Sequence, residues 1–226
     1  MAEFTIRDIE GMRQVCIDIE DEKVRARSGA MSNMRGAIRL TPRLPNPLEY
    51  LRSLYNNEAR IRPEYSGTGR VVLQPTLGGY HMLDLAGTED WVLEPGIYLA
   101  SESSVRLGLA RDPAWASFWL GDGFFNWKTR VGGTGRVVLT TPGPVETIEI
   151  TDGVFRAQGR IILGRTAGLR FTSERPASFL RSYISGQSRL RVLRGTGRVL
   201  VCFTPYWNRH LYEVMTGDTI DRSIFE

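Results

Sequence analysis

The chain has 226 residues, 42% of them apolar, and a formal net charge of +4. This composition is sufficient for a packed core, and no stretch approaches the roughly 18 apolar residues that a membrane-spanning helix requires. The first ten residues are polar and contain no apolar region of the kind found in signal peptides. We therefore expect a cytoplasmic protein without a membrane span. Cys16 and Cys202 are expected to be small core residues, and two cysteines fit a protein of a reducing compartment.

Short segments of alternating apolar and polar residues occur along the chain, at 15–20, 105–109 and 147–151. A period of two is typical of half-buried strands. Turn residues separate these segments, for example Leu77-Gly78-Gly79 and Glu94-Pro95-Gly96. The pattern predicts a protein built mainly from short β-strands.

A heptapeptide occurs three times, and it identifies an internal repeat. Gly67-Thr68-Gly69-Arg70-Val71-Val72-Leu73 returns unchanged at 133–139 and slightly altered at 195–201. Three prolines recur at nearly the same spacing as the heptapeptide, namely Pro47, Pro113 and Pro176. Each is expected to begin a short helix, and Asn46 and Asp112 are expected to cap the first two helices. We place the repeat units at 12–75, 79–141 and 145–203 within a single compact body of residues 1–226, and a C-terminal extension at 204–226.

The glycines of the heptapeptide permit two interpretations. A glycine-rich turn can hold a phosphate through backbone N–H groups, or it can supply positive φ for a turn or bulge next to a strand. A phosphate loop needs a following helix, whereas a β-branched strand sequence follows in all three copies. The structural interpretation is therefore favoured for Gly67, Gly69, Gly133, Gly135, Gly195 and Gly197.

The arginines of the repeat are candidate contacts for nucleic acid, because arginine suits phosphate recognition. Arg70, Arg136 and Arg198 occupy equivalent positions, and Arg191 and Arg194 lie in the densest basic run. Codon bias in a GC-rich genome is the favoured explanation of the arginine content, and the acidic residues are interspersed with the basic ones.

Aromatic residues concentrate in two segments. The first is expected to lie in the core or in a subunit interface and includes Trp115, Trp119, Phe124, Phe125 and Trp127, because large apolar side chains contribute most when buried. The second, in the C-terminal extension, is expected to pack against a neighbouring repeat or subunit and includes Phe203, Tyr206, Trp207, Tyr212 and Phe225.

Motifs of catalysis are missing from the sequence. His81 and His210 are far apart and lack a metal-ligand spacing, and His81 lies in an alternating segment where a structural role is expected. Nucleophile elbows and dinucleotide fingerprints are also lacking. We predict no catalytic residue, no metal and no cofactor, and we expect a protein that is not an enzyme.

The order of the glycine motifs resembles that of the mitochondrial biogenesis (altered inheritance of mitochondria) family, which belongs to the tryptophan RNA-binding attenuator protein-like superfamily. The resemblance is carried by 121–125, the second and third heptapeptides, Asp152-Gly153 and 185–187. The chain departs from the family at Asn57-Glu58, at 186–188 and in the proline-rich stretch 41–47.

The resemblance implies an all-β protein of three tandem short double-stranded β-helix (jelly-roll-like) modules with pseudo-threefold internal symmetry and one short helix per module. Such modules pack edge to edge, which favours a homo-oligomer, with a trimer preferred. We expect a non-catalytic oligomeric β-scaffold or binding module. Binding of RNA or single-stranded nucleic acid, and binding of a small ligand between modules, are the alternatives, since fold alone does not establish function.

Overall fold

The computed structural model describes residues 2–42, 62–120, 127–158, 160–175 and 189–216. The described chain is mostly β-strand, as the alternating pattern predicted. Its fourteen strands are β1 (Glu3–Ile9), β2 (Met12–Ala26), β3 (Met31–Thr41), β4 (Glu64–Leu73), β5 (Gly79–Ala86), β6 (Trp91–Leu93), β7 (Tyr98–Glu102), β8 (Arg106–Arg111), β9 (Trp127–Gly132), β10 (Thr134–Thr141), β11 (Glu146–Gln158), β12 (Ile162–Thr166), β13 (Arg170–Glu174) and β14 (Leu190–Val201).

Two helices occur among the described residues, α1 (Ala114–Trp119) and α2 (Thr204–Thr216). The first follows Pro113 as predicted, but no side chain caps it, because Asp112 is engaged elsewhere. The second was not predicted and shows that the C-terminal extension is partly helical. The helices predicted after Pro47 and Pro176 lie outside the described residues.

The first sheet has the strand order β3-β4-β2-β7-β10-β5, and β1 pairs with β2. All seven strands belong to one compact unit of the chain. Its core is formed by the alternating residues that the sequence indicated, including Val15, Ile17 and Ile19, all of which are 0–1% exposed. Cys16 is buried as a free thiol, as expected.

The second sheet has the order β11-β14-β12-β6-β9-β8, and β13 pairs with β14. A second compact unit contains both helices and most of this sheet. Its core includes Leu169, Phe171, Leu193 and Val199. Cys202 is also buried as a free thiol.

The three heptapeptides occupy equivalent strands in the two sheets, namely β4, β10 and β14. Each of these strands pairs with the first strand of its own repeat, β2, β5 and β11 respectively. The middle repeat is divided between the sheets, because β5, β7 and β10 lie in the first and β6, β8 and β9 in the second. Each sheet therefore contains parts of two repeats.

Candidate functional site

The arginine of each heptapeptide lies opposite an acidic residue on the neighbouring strand. Arg70 is opposite Asp18, and Arg136 is opposite Asp84. Nε and Nη2 of Arg70 donate hydrogen bonds to both carboxylate oxygens of Asp18, at 2.6 and 2.9 Å, and these bonds raise the pKa of Arg70 above its ordinary value. Nε of Arg136 donates to Oδ1 of Asp84 at 2.9 Å.

The third arginine has the same cross-strand position, because Arg198 is opposite Glu149. Its guanidinium carbon lies 5.3 Å from the ring centroid of Trp91. Asp18, Asp84 and Glu149 recur with nearly the step of the heptapeptide. This regular acidic position is visible in the sequence, but it was not predicted.

The remaining two candidate arginines lie on opposite faces of β14. Arg191 is only 4% exposed, whereas Arg194 is exposed and forms an ion pair with Glu174. Of the five candidate contacts for nucleic acid, three thus bind carboxylates and one is buried. A phosphate at Arg70, Arg136 or Arg194 would have to displace a carboxylate.

The second glycine of each heptapeptide lies where a side chain has no room. A Cβ atom at Gly69 would be 2.1 Å from the carbonyl oxygen of Arg35 on β3. A Cβ atom at Gly135 would be 2.7 Å from Oγ of Ser104, and one at Gly197 would be 2.1 Å from Oγ1 of Thr166. These glycines allow close approach of β3, of the segment between β7 and β8, and of β12, respectively.

The first glycine of each heptapeptide, Gly67, Gly133 or Gly195, has a positive φ. The partner strands of Gly67 and Gly195 contain an irregularity in register there, where Asp21 and Asp152 also have positive φ. Gly67 and Gly195 therefore lie at β-bulges within β4 and β14, and Gly133 lies between β9 and β10. A strand follows directly in all three copies, which does not form the loop of a phosphate site.

Strands from two successive repeats pair at one place in each sheet, and we call these places the repeat junctions. In the first sheet, β2 pairs with β7 in the register Val24–Glu102, Arg25–Ser101 and Ala26–Ala100. In the second sheet, β6 pairs with β12 in the register Trp91–Thr166, Val92–Arg165 and Leu93–Gly164. Both junctions are antiparallel and three residue pairs long.

The same backbone hydrogen bonds flank both repeat junctions. On one side, the N–H of Ser103 donates to the oxygen of Lys23 at 3.1 Å, and the N–H of Ala167 donates to that of Asp90 at 2.7 Å. On the other side, the N–H of Arg27 donates to the carbonyl oxygen of Leu99 at 2.7 Å, and the N–H of Glu94 donates to that of Leu163 at 2.9 Å. The two junctions are thus two copies of one arrangement.

A bulge marks the equivalent position in all three repeats. One extra residue interrupts the pairing with the heptapeptide strand at Ser32 in β3, at Leu99 in β7 and at Leu163 in β12. The beginning of β3 is therefore the counterpart of β7 and β12. By the same register, residues 155–157 of β11 are the counterpart of 24–26 in β2, because Phe155 and Val24 both lie opposite the residue five positions before the heptapeptide arginine.

The counterparts of the junction strands in β3 and β11, which we call the sheet ends, have no junction partner in the part of the chain that the structure describes. β3 pairs with β4 alone, and β11 pairs with β14 alone. Every residue of β7 and β12 is buried, whereas residues 32–37 of β3 are exposed. Side-chain positions that are buried in β7 and β12 are thus exposed in β3, whereas in β11 Arg156 is exposed, Phe155 is half-buried and Ala157 is buried.

A cluster of buried charges lies in the second compact unit. Nζ of Lys128 is 2.6 Å from Oδ2 of Asp112, and Nη2 of Arg165 donates to Oδ1 of the same carboxylate at 2.6 Å. Lys128 also pairs with Glu94. Nζ of Lys128 and the guanidinium carbon of Arg165 each lie 5.2 Å from the ring centroid of Phe171. The two cations therefore lie between carboxylates and an aromatic face.

The pKa of Asp112 is set by two opposing effects. Burial alone would raise the pKa of the carboxyl, but the charges of Lys128 and Arg165 and their hydrogen bonds lower it below the ordinary value. The carboxylate therefore stays ionised at neutral pH. This cluster was not predicted, because no local pattern relates residues that are far apart in sequence.

Exposed aromatic residues lie on both helices. Trp115 and Trp119 of α1 are 69% and 49% exposed, and Trp207 of α2 is 64% exposed. The hydroxyl of Tyr206 donates to the carbonyl oxygen of Gln158 at 2.8 Å, which attaches α2 to the third repeat. Of the other predicted aromatic residues, Trp127 is half-buried beneath Arg111, and Phe124, Phe125 and Phe225 lie outside the described residues.

His81 lies in β5, half-buried, and burial lowers its pKa. Among the described residues, no group of three or more histidine, cysteine, aspartate or glutamate side chains is arranged to hold a metal ion. Neither described helix is long and apolar enough to cross a membrane.

The fold, with two antiparallel sheets and two short helices, is that of an all-β protein built on a repeated strand arrangement. The chain belongs to the mitochondrial biogenesis AIM24 family, whose model matches residues 4–202. It is similar to the crystal structure of a protein from Streptococcus pyogenes, with a TM-score of 0.69 and 20% sequence identity over 95% of this chain and 100% of that one. This likeness concerns the fold. No curated protein matches the sequence.

Proposed function

We propose that the protein is a non-catalytic β-scaffold that assembles into an oligomer, with three chains as the preferred number. One observation carries the proposal: positions that are buried in β7 and β12 are exposed in their counterpart β3, and among the described residues β3 and β11 each pair with a single strand. Unpaired strand edges expose N–H and C=O groups that another chain can bind. A second copy of the same chain offers edges of the matching kind.

The finer description of the fold is part of the same proposal. Each repeat would form a short double-stranded β-helix module of the type found in the tryptophan RNA-binding attenuator protein-like superfamily. The shared bulge, the shared cross-strand arginine position and the two identical junctions support equivalent modules. The buried free thiols of Cys16 and Cys202 support a reducing compartment such as the cytoplasm.

Two acidic residues whose side chains are chemically suited to catalysis are occupied in structural contacts. Both oxygens of Asp18 accept hydrogen bonds from Arg70, and Asp112 is held by two cations. These contacts support a structural role for the most prominent acidic residues.

The mass of the protein in solution tests the proposal. Native mass spectrometry, with light scattering at micromolar concentrations, should give a discrete multiple of the 25.5 kDa chain, with three chains expected. A monomer at these concentrations would contradict an assembling scaffold. A hydrolytic or transfer activity that one acidic substitution abolishes would contradict a non-catalytic role.

A further inference from the structure

We propose that the two sheet ends pair with each other between copies: residues 155–157 of β11 in one chain pair antiparallel with residues 33–35 of β3 in the next. This inference rests on the proposed assembly and specifies its partner, its two surfaces and its register. The partner is a second copy of the same chain, bound through two different surfaces.

The register follows from the repeat junctions. Val24 lies opposite Glu102, and Trp91 lies opposite Thr166. In β11 the counterpart of Val24 and Trp91 is Phe155, and in β3 the counterpart of Glu102 and Thr166 is Arg35. The same correspondence places Arg156 opposite Met34 and Ala157 opposite Asn33. The intermolecular contact would thus repeat, residue by residue, an arrangement that the chain already forms twice.

The flanking backbone positions agree with this register. At the junctions, the backbone N–H of Ser103 donates to the carbonyl oxygen of Lys23, and that of Ala167 donates to the carbonyl oxygen of Asp90. Their counterparts are Gly36 in β3 and Val154 in β11, so the N–H of Gly36 would donate to the carbonyl oxygen of Val154 in the neighbouring copy. Antiparallel pairs alternate between hydrogen-bonded and non-hydrogen-bonded types, which makes Ala157–Asn33 a non-hydrogen-bonded pair.

The side chains at the centre of the contact are compatible with close approach. Inside the chain, the last pair of each junction combines small residues, as in Ala26–Ala100, or a glycine with a larger residue, as in Leu93–Gly164. Ala157 is 4% exposed and keeps the small size, while Asn33 is exposed. The pair at the sheet ends therefore needs no enlargement of the strand spacing.

A contact between two different surfaces adds subunits head to tail, so it either closes into a ring or continues as a filament. In a closed ring every chain uses both surfaces, and neither end remains open. A pairing of β3 with β3, in contrast, would give a symmetric dimer and leave β11 open. The two arrangements predict different crosslinks.

Cysteine crosslinking between separately purified variants tests the register. Asn33→Cys and Ala157→Cys are mixed, allowed to exchange subunits and oxidised mildly. Non-hydrogen-bonded pairs have Cα atoms about 4.5 Å apart, which lies within the range of a disulfide. The mixture should give a two-chain species on a non-reducing denaturing gel, and neither variant alone should give it, since Cys16 and Cys202 are 1% and 0% exposed.

The matched control combines Asn33→Cys with Arg156→Cys. A shift of one residue directs the second side chain to the other face of the sheet, so this mixture should not crosslink. A second in-register pair, Arg35→Cys with Phe155→Cys, covers the case in which Ala157→Cys impairs folding, and circular dichroism shows whether each variant folds.

The outcomes separate the register from the assembly itself. Crosslinking of both in-register pairs, without the control pair, supports the proposal. An oligomer in which neither in-register pair crosslinks overturns the register but leaves the assembly standing. Crosslinking of Asn33→Cys with itself points to β3–β3 pairing and also overturns it, and a monomer overturns both proposals.

Discussion

Lys128 and Asp112 are completely buried side chains of opposite charge, with Nζ and Oδ2 2.6 Å apart. Arg165 binds the other oxygen of the same carboxylate at 2.6 Å, and Glu94 binds Lys128. Each member of this cluster is balanced by its neighbours. Removal of one charge therefore leaves another charge uncompensated in a buried environment.

The two lysines of the chain allow a matched test of this cluster. Lys128→Ala should lower the free energy of unfolding by about 3–5 kcal/mol, since it breaks a buried ion pair. Lys23→Ala should lower it by about 0–1 kcal/mol, because Lys23 is 61% exposed and pairs with Glu64 at 3.2 Å. Urea denaturation followed by circular dichroism measures both values, and equal losses would contradict the energetic importance of the cluster.

The stability of the protein should depend on pH through Asp112. The pKa of this carboxyl is lowered in the folded chain, so the unfolded chain takes up the proton first as the pH falls. The stabilisation is fully present above about pH 4, the ordinary range of an unfolded aspartate, and it is lost as the pH falls through the folded pKa.

Asp112→Asn should remove this part of the acid sensitivity. The variant is expected to be less stable than the unmodified protein at pH 7, and the difference should shrink as the pH falls below about 4. Thermal melts over that range measure it. Glu174, whose pKa is also lowered, is present in both proteins and cancels in the comparison; a constant difference would contradict the assigned pKa direction.

Substitution of one glycine outside the heptapeptides, Gly96, and one inside them, Gly69, should distinguish conformational strain from steric exclusion. Gly96 has a φ of +79°, and a Cβ atom there meets nothing within 4 Å, so Gly96→Ala should cost roughly 1–2 kcal/mol from the left-handed backbone. Gly69→Ala adds a clash with β3 and should cost about 1–3 kcal/mol more. Similar melting temperatures for the two variants would show that β3 does not approach Gly69 as described.

The aromatic face of α2 should be detectable by fluorescence. Trp207 is 64% exposed and Trp91 is 1% exposed. Trp207→Phe should lower the fraction of tryptophan fluorescence that acrylamide quenches, and Trp91→Phe should raise it. If Trp207→Phe leaves the quenchable fraction unchanged, this face of α2 is covered in solution.

The repeated elements were predictable because their signals are local. The heptapeptide places β4, β10 and β14 correctly, since glycine pairs and β-branched runs act within a few residues. The first helix followed from Pro113, although the cap expected at Asp112 was wrong. That carboxylate binds Lys128 and Arg165, partners that only the tertiary structure brings together.

Two other features of the structure were not predicted from the sequence, for different reasons. The helix α2 was hidden because aromatic residues such as Tyr206 and Trp207 are compatible with either a strand or a helix. The open sheet ends could not be seen at all, because exposure at β3 is informative only in comparison with the buried β7 and β12. The repeat itself was visible, but the pairing of successive repeats was not.

The division of the middle repeat between two sheets has a consequence for biosynthesis. The strand β6 contains Trp91 and pairs with β12, which the ribosome makes roughly seventy residues later. A nascent chain that ends before Ile162 would expose a tryptophan-bearing strand without this partner, and such segments are prone to aggregation. Pairing of β6 on both sides is therefore completed only in the last third of translation, and premature termination before that point would yield a product that quality-control chaperones should recognise.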